Sequence, residues 1–388
     1  TFPIWLSNLR FSNTPAMNLD LETMMRSTLP PEETTVSAII AQYLAENSQI
    51  FKELTDLRLK GWNTSEGDQF FQARRAQSDN ANKTQKQLRG FFKMTCEIGQ
   101  EMDENTSVIT FAAADGGQSP RVLDIGMAPG GFTQTVLRKH RDARIRGITL
   151  PSDMGGLRIM LPRWRNNLKI RIEFADVTML VNEMGLGRPA TFIPTRHPNT
   201  ATFSSKRLFG DEMFDLVFCG ATGATTRRAC AGAEHHEPHK RLRLATSQLV
   251  FALQRLRNQG SLVLVMHKPE SFDTAEIIRT FTKCSSVRLF KSKTKHAITS
   301  SFYMVARKVD TRSEEMQSAV VKWKEQWENA MCQSGEALPT CPRASEDRVR
   351  EMLAEFGPEL IDLATPLWKI QADALRASPF LKESKSTS

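Results

Sequence analysis

The stretch RVLDIGMAPGGFTQTVLRKH, residues 121–140, decides the fold. Its apolar start predicts a buried strand, Gly126, Gly130 and Gly131 predict a sharp turn, and the remainder predicts a helix. Open α/β sheets bind their ligands at such a turn, although a tight structural connection would carry the same pattern. The spacing matches neither the dinucleotide-binding GxGxxG motif nor the GK[ST] of a phosphate-binding loop, so it disfavours a dinucleotide or ATP site.

Strand and helix patterns continue beyond this turn. Further strands are predicted at 143–150, 169–177, 214–221, 261–268, 286–292 and 300–309. Helices are predicted between most of them, one spanning 245–260 and ending at Gly260. This alternation indicates a Rossmann-like, mostly parallel sheet of seven strands. The last two strands have no helix between them, so they are predicted to form a hairpin at one edge.

Helical segments flank the predicted sheet. Residues 1–35 are predicted to be an irregular arm, followed by a helix from Val36 to Leu57 that stops at Gly61 and by a helical region over 68–102. Helices are predicted at 313–333 and 345–377, with prolines punctuating them. The predicted divisions are an N-terminal arm and helical region, a Rossmann-like domain and a C-terminal helical extension, at 1–102, 103–310 and 311–388.

The chain is basic. Its 388 residues include 52 Lys and Arg against 43 Asp and Glu, a formal net charge of +9. The excess favours a polyanion such as RNA, but a soluble basic surface explains it equally well. Two groups of basic residues are candidates for contacting phosphate. They are a helical stripe of Arg74, Arg75, Lys83, Lys86, Arg89 and Lys93 beside Phe91 and Phe92, and a rim of Arg227, Arg228, Lys291, Lys293, Lys295 and His296.

Cysteine usage and hydropathy bear on location. The six cysteines form no CxxC pair, which favours free thiols in the cytoplasm or nucleus. No apolar run approaches the roughly 20 residues of a membrane span, so no membrane partner is expected. Cys230 with His235, His236 and His239 lacks a suitably spaced second cysteine, so a loop is favoured and no metal site is predicted. The helical extensions offer surfaces for a protein partner.

The segment DIGMAPGGFT, residues 124–133, resembles the first motif of the FtsJ-like ribose 2′-O-methyltransferases. The resemblance extends over about residues 90–308 and implies a sheet that binds S-adenosylmethionine across the tips of its first strands. Asp176, followed by Val177, would accept a hydrogen bond from the adenine, and Thr149 stands where many such enzymes place an acid. The methionine end would lie against Asp124, Gly126, Met127, Ala128, Pro129, Gly130, Gly131 and Phe132.

The same resemblance implies a catalytic Lys-Asp-Lys-Glu tetrad that orients a ribose hydroxyl and helps remove its proton. Lys93 matches the first lysine. The aspartate, in a pattern like DLVLSDGAP, is assigned to Cys219, and the central lysine and the glutamate are replaced by Val265 and Ser301.

Two residues after Val265 are candidates for the missing base. His267 keeps the same strand face, and Lys268 follows it. The favoured alternative is that both residues flank the end of the strand and contact solvent. Three functions stay open: an RNA methyltransferase with a rearranged catalytic set, a methyltransferase for a small molecule, and an inactive relative that binds RNA or protein.

Overall fold

A computed structural model describes residues 31–78, 83–111, 119–185, 203–222, 240–332 and 344–381. These ranges form a seven-stranded sheet in the order β3-β2-β1-β4-β5-β7-β6, which confirms the predicted fold class. The strands are β1 Arg121–Ile125, β2 Arg144–Thr149, β3 Ile170–Phe174, β4 Phe214–Cys219, β5 Leu256–His267, β6 Ser286–Phe290 and β7 Ser301–Val309.

Strand direction brings the loops of the molecule together at one edge. β7 runs antiparallel to both β5 and β6, as the predicted hairpin requires, and the other pairings are parallel. The carboxyl ends of β1 to β6 and the start of β7 therefore share one edge, which we call the carboxyl edge. In open α/β sheets this is the ligand-binding edge.

Helices cover both faces of the sheet. They are α1 Pro31–Asn47, α2 Gln49–Trp62, α3 Ser65–Ser78, α4 Gln85–Thr106, α5 Gly131–Lys139, α6 Lys240–Leu253, α7 Phe272–Cys284, α8 Glu314–Cys332 and α9 Glu346–Arg376. Alternate strand residues divide the core: one face packs against α4 and α5, and the other packs against α1, α2 and α6 to α9. None of the described helices is long and apolar enough to cross a membrane.

The two ends of the described chain pack together in one layer. The rings of Phe51 in α2 and Trp368 in α9 lie 4.9 Å apart, and a side chain at Gly357 would collide with Tyr43 in α1. The helical spacing of the C-terminal apolar residues predicts eight buried anchors, and all are buried except Leu363, which is half-buried: Trp323, Trp327, Leu353, Phe356, Leu360, Leu363, Leu367 and Trp368. The helical extensions therefore share a core with the sheet.

Two N-terminal predictions need correction. The predicted helix over 36–57 is two helices, because Ser48 leaves helical geometry and accepts a hydrogen bond from the Phe51 amide (3.3 Å) as the N-cap of α2. Gly61 lies inside α2 and does not end it. The predicted arm is helical from Pro31, a residue suited to a first helical position, and residues 1–30 lie outside the described ranges.

Two later boundaries also differ from the prediction. The helix predicted to end at Gly260 ends at Leu253, and β5 begins at Leu256, which pairs with Phe214 on β4. Leucines at 249, 253 and 256 continue a helical spacing, so local periodicity could not locate the change. Prolines 358 and 366 lie inside α9, where burial of one face along the helix offsets the lost amide hydrogen bonds.

The predicted division after residue 102 lies within α4. This helix is continuous from 85 to 106, and its Ile98 and Met102 are buried in the same cluster as Val122 of β1. A cut at that point would separate residues of one hydrophobic core.

A buried ion pair fixes the start of β5. Arg255 donates to Glu183 (Nη2–Oε1 2.6 Å) and to the Leu208 carbonyl (3.1 Å), and its guanidinium lies 3.9 Å from the ring centre of Phe251. The Glu183 side chain is fully buried. Removing one partner would leave the other charge buried and unpaired, which is strongly destabilising.

We expect Glu183→Ala to lower the free energy of unfolding by about 3–5 kcal/mol, because Arg255 stays buried. Arg350→Ala, which removes an exposed ion pair with Glu346 (2.9 Å), should cost less than about 1 kcal/mol. Urea denaturation measures both. Equal losses in the two variants would contradict this account.

Candidate active site

The glycine turn after β1 is held by close backbone packing. The amides of Gly126 and Met127 both donate to the Ile148 carbonyl on β2 (2.8 and 3.0 Å). Gly126 has a φ of +79°, and a Cβ there would lie 2.4 Å from the Ala221 nitrogen. Only glycine fits this position without a shift, so the turns after β1 and β4 meet at the carboxyl edge.

Gln248 of α6 holds the second of these turns. Its Oε1 accepts from the Ala221 amide (2.9 Å), and its Nε2 donates to the Ala221 carbonyl (3.1 Å). The Gln248 side chain is buried. Sequence reasoning missed this residue, because a single amide on an amphipathic helix carries no local signal.

The start of α5 leaves its first backbone amides without a side-chain cap. Gly130 is the N-cap with a φ of +103° and no side chain to cap the helix. A Cβ at Gly131 would lie 2.0 Å from Thr95 Oγ1, so α4 packs directly against the turn. The first amides of a helix bind carboxylates well. We call the turn formed by residues 126–131 the glycine cradle, and the uncapped helix start within it suits the methionine carboxylate of S-adenosylmethionine.

Two predicted cofactor residues pack beneath the turn. Asp124 is buried and accepts a hydrogen bond from Thr133 Oγ1 (2.7 Å), which ties β1 to α5. Burial raises the pKa of Asp124 to about 6, and the Thr133 hydrogen bonds limit the rise. Met127 is also buried, with its sulfur against Gly147 of β2. Asp124 and Met127 therefore support the glycine cradle from inside the protein core.

The remaining predicted motif residues, Ala128, Pro129 and Phe132, line the sides of the glycine cradle. Phe132 stacks on Phe218 of β4, with ring centres 5.3 Å apart. The Pro129 carbonyl accepts from the Met160 amide (2.9 Å), so the segment after β2 lies against the turn. Ala128, before the cis peptide bond to Pro129, is half-buried.

Residues after β2 and β3 complete this edge. Thr149 is buried, and its carbonyl accepts from the Ala175 amide (2.9 Å). Asp176 Oδ1 accepts from the amide (2.9 Å) and hydroxyl (2.7 Å) of Thr178, and the adjoining Val177 is buried. Asp176 therefore stands at the expected edge while also capping a short turn.

The register of β5 and β7 locates two of the candidate catalytic positions. Val265 lies opposite Tyr303, and His267 lies opposite Ser301. Directly paired residues share a face, so both pairs lie on the face covered by α4 and α5. Lys268 follows with a φ of +51°, and its amide donates to the Ser300 carbonyl (3.1 Å).

The assignment of the aspartate position to Cys219 is corrected. Matched residue by residue to the pattern DLVLSDGAP, the second aspartate falls on Gly220, which has no side chain. Cys219 is buried on the opposite sheet face and donates to the Gln248 carbonyl (3.9 Å). Burial raises the pKa of its thiol, and the charge of Asp124 adds to the effect. Cys219 is therefore a core residue.

Lys93 extends into solvent from α4, with 81% of its side chain exposed. It lies 3.8 Å from Glu97 Oε1, and Lys295 of the β6–β7 loop contacts Glu97 Oε2 at 3.0 Å. The hydrogen bond from Lys295 lowers the pKa of Glu97. The first predicted catalytic lysine and the predicted basic loop are thus neighbours.

The prediction that Lys291 contacts phosphate is wrong. Lys291 is buried, and its Nζ donates to the carbonyls of His296 (3.1 Å), Thr299 (2.5 Å) and Ser301 (2.8 Å). Burial lowers the pKa of this amine to about 7, with a further contribution from Arg58. Lys291 closes the β6–β7 loop, while its loop neighbours Lys293 and His296 are exposed.

A buried network joins both ends of the chain to this loop. Arg58 of α2 donates to Glu270 Oε1 (2.7 Å), Ser300 Oγ (3.2 Å) and Gln371 Oε1 (2.9 Å). Gln371 of α9 also donates to the Ile298 carbonyl (3.2 Å). The two flanking helices therefore hold the turn after β5 and the β6–β7 loop in place. Sequence reasoning missed these residues, because they are distant in the chain.

Some predicted residues lie outside the described ranges. No group of three or more potential metal ligands occurs among the described residues. The side chains of Arg74 and Arg75 are not described, and the following residues are not described at all: Arg227, Arg228, Cys230, His235, His236 and His239.

The fold and the glycine cradle define a Rossmann-like methyltransferase. The sequence pattern of the FtsJ-like methyltransferases matches residues 89–309, more than half of the chain. The protein therefore belongs to the FtsJ-like methyltransferase family, and its cofactor is S-adenosylmethionine, as the motif predicted.

Other comparisons are more distant, and no curated protein matches the chain. Human methyltransferase-like protein 13, solved with SAH, is 8% identical at a TM-score of 0.30, covering 65% of this chain and 93% of its own. The N-methyltransferase NodS from Bradyrhizobium japonicum WM9 is 15% identical at a TM-score of 0.30, and the match covers 53% of this chain and 95% of NodS. TrmN from Thermus thermophilus is 14% identical at a TM-score of 0.31, and the match covers 56% of this chain and 52% of TrmN.

Replacing Gly126 tests the cradle. Gly126→Ala should weaken binding of S-adenosylhomocysteine at least about tenfold, because the new Cβ meets Ala221 and the positive φ adds strain. Gly220→Ala is the matched control, since a Cβ there meets only the Ile125 carbonyl at 3.5 Å. Calorimetric titration measures both. Unchanged affinity in Gly126→Ala would argue against the cradle.

Replacing Arg58 tests the loop network. Arg58→Met should speed hydrogen exchange of the Lys268 and Thr299 amides by at least about tenfold, because Ser300 and Glu270 lose the hydrogen bonds from the Arg58 guanidinium. Arg376→Met breaks the exposed contact with Glu53, which joins the same two helices (2.8 Å). This control variant should leave the hydrogen-exchange rates of both amides unchanged. Equal acceleration of exchange in both variants would mean that the two amides respond only to the packing of α2 against α9.

Proposed function

We propose that the protein methylates RNA at a ribose 2′-hydroxyl and that His267 takes the place of the missing central lysine. The observation that carries this proposal is the pairing of His267 with Ser301 at the carboxyl edge. His267 lies two residues beyond Val265, on the sheet face that meets the glycine cradle. A histidine there supplies a base that valine cannot.

The chemistry needs orientation and a proton acceptor. Bound S-adenosylmethionine supplies a methyl group already activated by its sulfonium. A ribose hydroxyl is a weak nucleophile, so the protein must align it and accept its proton. A neutral imidazole nitrogen does this above its ordinary pKa of about 6.5. Histidine therefore suits the role near neutral pH.

The charges of Arg58, Lys268 and Glu270 stabilise the turn that follows His267. Burial alone would raise the pKa of Glu270, but the charges of Arg58 and Lys268 outweigh it and the pKa is lowered. Glu270 is therefore ionised at neutral pH, a counter-charge for these two cations three residues after His267. The three charged side chains would hold the turn after β5 while His267 handles the proton.

Exposed cations support RNA as the acceptor. Lys86, Arg89 and Lys93 follow one another at steps of three and four residues on one exposed side of α4. Lys93 and Lys295 share Glu97, which joins this stripe to the β6–β7 loop. A row of cations ending at the carboxyl edge would hold a phosphate backbone beside the reacting hydroxyl.

An inactive, RNA- or protein-binding relative is the second candidate. The positions of the tetrad aspartate, central lysine and glutamate hold Gly220, Val265 and Ser301, and none of these is a base at neutral pH. If His267 accepts no proton, the cradle would serve binding alone. The two candidates differ in turnover but share cofactor affinity.

The test combines binding with turnover. Calorimetry with S-adenosylmethionine and S-adenosylhomocysteine comes first, followed by transfer of a labelled methyl group to RNA and nucleoside analysis for 2′-O-methylation. We expect His267→Gln to lower kcat at least about 100-fold and to abolish the decline of kcat at acid pH, with S-adenosylhomocysteine affinity unchanged.

His140→Gln is the matched control, because this imidazole follows α5 at the opposite edge of the sheet. Full activity in His267→Gln would overturn the base assignment. Cofactor binding without transfer to RNA in the unaltered protein would favour the inactive candidate. Transfer to a small molecule alone would overturn RNA as the acceptor.

A further inference from the structure

The segment between β2 and the end of β3 carries a dense positive charge. Residues 154–172 contain no acidic residue, and the first one after them is Glu173. Five cations of this segment are exposed: Arg158, Arg163, Arg165, Lys169 and Arg171. Arg171 pairs with Glu173 (2.7 Å), and Lys169 interacts electrostatically with Asp142. We call residues 158–174 the β3-edge patch, because β3 is one of the two edge strands of the sheet.

Aromatic rings lie among these cations. The Arg165 guanidinium lies 4.6 Å from the centre of the Trp164 ring. Phe174 is 51% exposed at the end of β3, with its ring centre 6.4 Å from that of Trp164. Exposed aromatic faces beside guanidinium groups are what proteins use to stack nucleobases and hold phosphates.

The patch adjoins the glycine cradle. The Met160 amide donates to the Pro129 carbonyl (2.9 Å), and a Cβ at Gly130 would lie 3.3 Å from Leu161. Phe174 pairs with Thr149 in the β2–β3 register, so it stands at the carboxyl edge. A polymer lying on the patch therefore leads towards the cofactor.

We propose that the β3-edge patch binds single-stranded RNA next to the methyl-transfer site. This rests on the proposed function, in which RNA is the acceptor. Of the exposed apolar residues, Leu168 lies in the turn before β3 and Phe174 lies at the end of β3, so the strand separates them. Such separated apolar groups, with cations between them, suit a chain of bases and phosphates better than insertion into a lipid surface.

The first experiment removes charge from the patch. The triple variant Arg163→Gln, Arg165→Gln, Lys169→Gln is compared with Lys52→Gln, Lys60→Gln, Lys369→Gln, which removes three exposed cations from α2 and α9. Fluorescence anisotropy with a labelled single-stranded RNA of about 16 nucleotides, at several salt concentrations, measures affinity. S-adenosylhomocysteine affinity is measured in parallel as the check on folding.

We expect the patch variant to bind RNA at least about tenfold more weakly. The slope of log affinity against log salt should fall in magnitude by about two, at about 0.7 for each cation lost. The control variant should change affinity by less than about threefold. Affinity for S-adenosylhomocysteine should be unchanged in both, because neither set of residues lies in the glycine cradle.

A second variant tests stacking. Phe174→Ala should weaken single-stranded RNA at least about fivefold while leaving a duplex of equal length unaffected, because paired bases cannot stack on the ring. Equal losses for both RNAs would overturn the stacking role.

The outcomes separate this inference from the proposed function. Unaltered RNA affinity in the patch variant would overturn the patch while leaving RNA methylation intact. No RNA binding by the unaltered protein would overturn both. Loss of binding to phosphatidylserine vesicles in the patch variant, with RNA affinity unchanged, would assign the patch to a lipid surface instead.

Discussion

The site depends on one close approach between two backbones. Gly126 lies so near to Ala221 that no side chain fits between them, and this contact brings the turn after β1 against the turn after β4. Gln248 fixes the second turn from behind, and Thr133 ties Asp124 to α5 beneath the first. The cradle is therefore set by packing before any ligand arrives, which lowers the entropy cost of binding.

The flanking helices contribute to the site, although they lie outside the residues that match the family. Arg58 precedes residues 89–309 and Gln371 follows them, yet both side chains converge on Ser300. Lys291 closes the same loop from within by donating to three carbonyls. A buried polar network of this kind favours one loop geometry, because each buried group left without a partner costs free energy. The extensions therefore act as part of the methyltransferase fold.

Charge is arranged in two ways around the carboxyl edge. Largely enclosed charges such as Arg58 and Glu270, with 10% and 12% of their side chains exposed, are paired and hold loops, whereas exposed ones such as Lys93 and Arg165 face solvent. The difference follows from desolvation, since a buried charge requires a partner and an exposed one is already hydrated. Lys291 shows the limit of sequence reasoning here, because its neighbours in the basic loop are exposed while it is buried.

Local pattern determined the strands and the glycine turn, because alternation and glycine spacing reflect contacts close in sequence, and the resemblance of residues 124–133 to the FtsJ-like motif supplied the cofactor. Local pattern could not determine where β5 begins, since helical and strand periodicities overlap near Leu256. It also could not show that Cys219 faces the core, which depends on strand register. The tertiary structure alone decided that His267 meets Ser301 and that Arg58 meets Gln371, because these pairs are separated in the chain and only the packed sheet and helices bring them together.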